Sequence, residues 1–214
     1  MALTTAPRLS YVHGGLDQPV YRFDHSAAAR TDLESITVQA VHRTILYRIA
    51  DGTLSPLTGP MGISDCESVL DRKTIERDGV QWAWTIPIIL PVTDGEAQNC
   101  TPGATVLLKD EQGEPFGTLM VSSCFDWDKP RFLAAVYGTE RTDHEGARRF
   151  LADTPTHLVG GNIQLIPTLD NRVFADRIMG PSQTRKMIED NGWEQTVAMQ
   201  VDRPMQRSHE YSLV

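Results

Sequence analysis

The sequence predicts an α+β chain: a β-rich domain of small-barrel or sandwich type, followed by the first helix and strand of an α/β domain. Two observations carry this expectation. Between Val80 and Phe125, short apolar runs ("VQWAWTIPIILPV", "ATVLLKD", "PFGTLMVSSCF") are divided by turn residues, the texture of paired strands and not of a parallel sheet. From Pro181 onward the order changes to helix, glycine, strand, turn and helix start. The change of texture places a boundary near residues 172–180, with a β-rich domain over 1–175 and the beginning of an α/β domain over 176–214.

Each element has a local reason. "DLESITVQAVHRTILYRIADGTLSPLTGPM" carries a helical or mixed apolar pattern and ends in a sharp loop at Gly52, Pro56, Gly59 and Pro60. "DEQG" lies between two of the strand-like runs, with Gly113 where a positive φ is wanted, and reads as a hairpin turn. "KPRFLAAVYGTERTDHEGARRFLADTP" is helical with interruptions at Gly138 and Gly146, and "HLVGGNIQLIPT" is again strand-like. Its Gly160–Gly161 pair permits a bulge or a close backbone approach. In "GPSQTRKMIEDNGW", Pro181 starts a helix, Ile188 lies in its body and Gly192 caps its C-terminus; "EQTVAMQ" follows as a short strand.

A chain of 214 residues accommodates one large domain, or one medium domain with a fragment of another. With 40% apolar and 22% charged residues it has the composition of a soluble globular protein. The net charge of −8 and the lack of a Lys/Arg-rich run argue against a nucleic-acid partner, because neutralising phosphates needs a basic face. No apolar run has the ~18 residues needed to span a bilayer, and "MALTTAPRLS" is no signal peptide. The expected location is cytoplasmic, with Cys66, Cys100 and Cys124 as free thiols. His144 beside Asp143 and Glu145 reads as a solvated acidic loop and not a metal cluster, since no second histidine lies at ligand spacing. Trp82, Trp84, Trp127 and Trp193 read as packing residues, and neither Ser55 nor Ser208 has the partners of a nucleophile.

The chemistry-bearing stretch is "MQVDRPMQRSHEYSLV", residues 199–214. An apolar lead-in reaches a turn at Asp202, Arg203 and Pro204, and a helix then begins. Helix N-termini hold anions through unpaired N–H groups and the dipole, and side chains at i and i+3 share a face. Gln206 and His209 have that spacing and are therefore candidates to reach one phosphate. On spacing alone, His209 reads first as merely a polar residue in the first turns of a helix.

This stretch resembles the ATP sulfurylase (sulfate adenylyltransferase) signature F-Q-T-R-N-P-x-H-R-A-H-E. Aligned without gaps, Met199 stands for the Phe and Gln200 for the Gln, while Pro204, Arg207, His209 and Glu210 match and Ser208 replaces Ala. Upstream, "DGTLSPLTGPM", "WTIPIILPV", "YGTERTDHEGA", "LVGGNIQLI" and "PSQTRKMIEDNGWEQTVAMQ" are similar to family segments in the family's order. The resemblance implies a PUA-like barrel domain followed by the start of a Rossmann-like nucleotidyltransferase domain. It also implies a reaction: a sulfate oxygen attacks the α-phosphorus of ATP, with Mg²⁺, giving adenylyl sulfate and pyrophosphate. Gln206 and His209 take the catalytic places, and Gln200, Asp202 and Arg203 the substrate- and nucleotide-binding ones.

Three positions depart from the signature. Asp202 stands for the arginine that faces sulfate, Arg203 for an asparagine, and Gln206 for the first histidine. Two unit charges ~4 Å apart interact by roughly 4 kcal/mol at an effective dielectric of 20, so reversing one is a swing of ~8 kcal/mol. The expected result is lost sulfate binding, or an acceptor other than sulfate. Only five residues follow His209, whereas a doubly wound domain needs several βαβ units of ~30 residues. The chain alone is therefore expected to be inactive, with a partner or a homo-oligomer completing the α/β domain. The alternative is a non-catalytic PUA-like interaction module.

Overall fold

The computed structural model describes residues 9–27, 30, 32–139, 141, 145–168, 178–202 and 204–212. They group into two compact units, one of Tyr11–Ser182 and one of Gln183–Val214 together with Met1–Ser10.

The larger unit is built on a five-stranded mixed sheet in the order β1-β5-β6-β7-β4. Its strands are β1 (Ser35–Thr37), β4 (Pro91–Val92), β5 (Thr105–Lys109), β6 (Pro115–Asp126) and β7 (His157–Leu165). β1 runs parallel to β5, and the other pairs are antiparallel. A separate hairpin joins β2 (Thr74–Arg77) to β3 (Val80–Ala83). The helices are α1 (Ala40–Ala50), α2 (Ile63–Arg72), the single-turn α3 (Asp94–Ala97), α4 (Lys129–Tyr137) and α5 (Glu145–Ala152). This is the α+β architecture expected for a PUA-like domain.

β6 shows why the sheet forms. Gly117, Leu119 and Val121 are buried and alternate with exposed Met120 and Ser122, the period-two pattern of a half-buried strand. The inward residues meet Ile163 and Leu165 of β7, Leu108 of β5, and Leu46 and Ile49 of α1 in one core. Burying each such side chain contributes about 1.5–3 kcal/mol relative to leaving it in water. The turn between β5 and β6 is the expected hairpin: Gly113 has φ +85°, and its N–H donates to the Asp110 carbonyl at 2.9 Å.

The Gly160–Gly161 pair is where the chain crosses itself. Gly161 N–H donates to the Pro60 carbonyl at 3.1 Å and Ile163 N–H to that of Thr58 at 2.9 Å, so the "LTGPM" loop lies along the edge of β7. A β-carbon on Gly160 would collide with the Gly62 backbone, and one on Gly161 with the Met120 carbonyl. A register shift between Val121 and Ser123 of β6 lies opposite the pair.

Some expected elements differ. "VQWAWTIPIILPV" is not one strand but β3 and β4, separated by residues 84–90, where Pro87 can donate no ladder hydrogen bond. Gly146 does not interrupt a helix; it sits in the first turn of α5. α6 (Pro181–Asn191), most of which belongs to the smaller unit, begins at the expected proline, and Gly192, with φ +62°, follows it. "EQTVAMQ" is exposed and has no strand neighbour among the described residues, so it is not a strand. A strand's backbone groups need a paired neighbour, and apolar alternation alone does not supply one. The last element is α7 (Arg207–Ser212).

Candidate functional site

The five residues read as catalytic or substrate-binding all fall in the smaller unit. Gln200 and Asp202 lie in exposed chain outside regular structure, and Arg203 lies outside the described residues. Gln206 occupies the position before α7, where its carbonyl accepts from the His209 and Glu210 N–H groups at 2.8 and 3.3 Å. Its own N–H donates to His209 Nδ1 at 3.1 Å. That is the return half of a capping box, with an imidazole in the place usually held by Glu or Gln. An accepting Nδ1 puts the proton of the neutral ring on Nε2, leaving Nε2–H as the ring's remaining donor. Gln206 and His209 are thus brought together as the i, i+3 spacing anticipated, but through the Gln206 backbone.

Exposure changes the energetics expected for Asp202. Asp202 is an exposed residue, and between charges ~4 Å apart in water the interaction is only about 1 kcal/mol, so the swing against an oxyanion shrinks to ~2 kcal/mol. A pocket of low dielectric around residues 200–209 is required before the larger figure applies.

In the larger unit the titratable groups are mostly spoken for. Burial pushes the Cys66 and Cys100 thiols up to about 12, with Asp65 and Glu67 adding to it at Cys66 and Cys124 and Glu96 at Cys100, which favours the protonated thiol at neutral pH. All three cysteines are free. Ser55 is buried; its hydroxyl donates to the Gly52 carbonyl at 2.6 Å and accepts from Val20 N–H at 2.9 Å, a structural role. No group of three or more His, Cys, Asp or Glu among the described residues is arranged to hold a metal, and His144 and Asp143 lie outside them.

A cavity of about 540 Å³ opens between α2, the end of β6, the start of α4 and the start of β7. Cys66, Glu67, Leu70, Phe125, Asp126, Trp127, Arg131, Phe132 and His157 are among its walls. His157 faces Asp94 through Nδ1 at 3.3 Å and Asp126 through Nε2 at 3.2 Å, and the Thr156 hydroxyl bonds to Asp94 beside it. Trp127 stacks edge-on with Phe150, centroids 4.5 Å apart, as a packing residue. Sequence reading missed this convergence because Asp126 and His157 meet through the β6–β7 pairing, while Cys66 and Arg131 reach the same cavity from α2 and α4.

Residues 15–168 match the family described as "PUA-like domain". The chain is 52% identical over 96% of its length to the sulfate adenylyltransferase of Pyropia yezoensis, covering 49% of that protein. It is 34% identical over 92% of its length to that of Cenarchaeum symbiosum, covering 50%. This chain is a PUA-like member of the ATP sulfurylase family. A solved structure described as a hexameric APS kinase from Thiobacillus denitrificans superposes on 96% of this chain and 36% of its own, with a TM-score of 0.67 and 22% identity, a likeness of fold. The chain spans about half the length of the curated relatives it matches. In this family member no helix of the described residues is long and apolar enough to cross a membrane.

Proposed function

We propose that the chain carries the PUA-like domain and the opening of the nucleotidyltransferase domain of an ATP sulfurylase-like adenylyltransferase. The whole protein would join ATP to sulfate or a related oxyanion and release pyrophosphate. The observation that carries this reading is the 52% identity over 96% of the chain to a sulfate adenylyltransferase. Much of the work in such a reaction is positioning two anions and neutralising their charge. His209 Nε2–H and the Gln206 amide donate to phosphate oxygens, and Gln200, Asp202 and Arg203 surround the acceptor. Nucleophilic attack by the acceptor oxygen on the α-phosphorus expels pyrophosphate, with no covalent enzyme intermediate required. Mg²⁺ would be held chiefly by the nucleotide's phosphates and water, and would supply charge neutralisation there.

The 214-residue chain does not turn over in this reading, because Gln200, Asp202 and Gln206 of the motif are exposed and nothing described around them excludes water. A homo-oligomer or a partner that completes the α/β domain supplies the rest. A form extended to the length of the relatives tests the activity: ATP, Mg²⁺ and a panel of sulfate, selenate, molybdate and phosphate are assayed for pyrophosphate release. Release that depends on one of these oxyanions supports adenylyl transfer, and Asp202→Arg should then shift preference toward sulfate. No oxyanion-dependent release would leave the domain as a non-catalytic interaction module.

A further inference from the structure

His157 opens β7 at a junction of three elements that the adenylyl-transfer reading does not use. Strand register fixes it there: Asp126 of β6 lies opposite on one side and Val92 of β4 on the other. Each ring nitrogen faces a carboxylate, Nδ1 that of Asp94 at 3.3 Å and Nε2 that of Asp126 at 3.2 Å. Asp94 is the first residue of α3, and its carboxylate also accepts from the Thr156 hydroxyl. The oxygen of that hydroxyl lies 2.9 Å from Nδ1. The charged groups facing the ring therefore come from α3 and from β6. Glu67 of α2 and Asp128 and Arg131 at the start of α4 share the adjoining cavity wall, where Arg131 is held by Asp71 at 2.8 Å.

Proton counting gives this junction a direction. A charged imidazole has two N–H groups and serves both carboxylates, whereas a neutral one has a single N–H. With that proton on Nε2, the bond to Asp126 survives and Nδ1 becomes an acceptor. The one hydroxyl proton of Thr156 then has two claimants, Nδ1 and Asp94, where Asp94 had two donors before. We propose that His157 is a proton-operated clasp: its charged form ties the start of α3 to β7, and loss of the Nδ1 proton loosens that tie while the β6 side stays closed. α3 keeps its Thr93–Glu96 capping box in both states, so the turn loosens without being lost.

Amide exchange of the 214-residue chain, His157→Gln and Asp94→Asn at about pH 5.5 and 7.5, either side of the ordinary imidazole range, tests the clasp. Rates are taken relative to the unfolded chain at the same pH. The probes are the Ala97 and Cys100 N–H groups, which donate to the Thr93 and Ala97 carbonyls. At the lower pH both should exchange about two- to five-fold faster in His157→Gln than in the unsubstituted chain, the range expected for exposed ion pairs. At the higher pH the two chains should exchange alike. Asp94→Asn, whose side-chain amide can donate to a neutral Nδ1, should lose the pH dependence. Long-range proton–nitrogen NMR of the His157 ring should show the proton leaving Nδ1 while Nε2 keeps its own. The Asp94 side chain is 77% exposed, so Asp94→Asn carries the test if His157→Gln disturbs β7. The clasp is overturned by equal exchange of the two chains at the lower pH, or by an equally large difference at the higher pH, which marks a merely structural histidine. An unaltered pH dependence in Asp94→Asn, or departure of the proton from Nε2, overturns it as well.

Discussion

At the scale of single residues, space and protonation decide the outcome. Gly161→Ala would drive a β-carbon into the Met120 carbonyl between two hydrogen-bonded strands, so one of the two backbones must shift. We expect a loss of about 2–4 kcal/mol, read from a urea unfolding midpoint. Gly95→Ala, in α3 with nothing within 4 Å of the new atom, should be neutral or slightly stabilising. His42 gives a pH signature. Burial holds its pKa below the ordinary imidazole value, with Asp153 and a bond to the Ile89 backbone partly offsetting the shift. The unfolded chain then binds the proton first, so stability falls as pH drops below about 6.5, until the folded form is protonated too. Replacing His42 by Gln should flatten that decline between pH 6.5 and 5; an unchanged slope in the variant would remove His42 as its source.

At the scale of elements, Glu96 ties the start of α3 to the end of β1. Its carboxylate accepts from the Thr93 N–H at 3.0 Å and hydroxyl at 2.8 Å, completing the capping box of α3, and from Thr37 N–H at the end of β1 at 2.7 Å. Glu96→Ala should cost about 1–2 kcal/mol, while Glu96→Gln, whose amide oxygen still accepts, should cost less; chemical denaturation of the two variants checks the order. Elements governed by local chemistry were legible in the sequence: the Gly113 turn, the proline start of α6 and the β6 alternation each follow from residues within a few positions. The close approach at Gly160–Gly161 was legible as a possibility, because two adjacent glycines in a strand pattern have few other uses. What failed was non-local. "EQTVAMQ" has strand alternation but no strand neighbour among the described residues, and the Cys66–Asp126–Arg131–His157 cavity is assembled by topology, to which spacing is blind.

At the scale of the molecule, the two units differ in kind. The larger has a continuous buried core running through Ile36, Leu46, Leu119 and Ile163. The smaller buries no helix residue and exposes Val197 at 79%, Trp193 at 49% and Met205 at 54%. These large apolar side chains are individually exposed, unlike the core residues of the larger unit. The same exposure explains why the signature was readable as a motif while its energetics were not: Gln200, Asp202 and Gln206 are exposed here, and charge interactions there are weak until something excludes the solvent. The most direct test is a coupled pyrophosphate assay on the 214-residue chain with ATP, Mg²⁺ and sulfate. Signal no greater with sulfate than without it is the predicted result. Sulfate-dependent pyrophosphate release from this chain would contradict the account, since the exposed motif would then suffice for the chemistry.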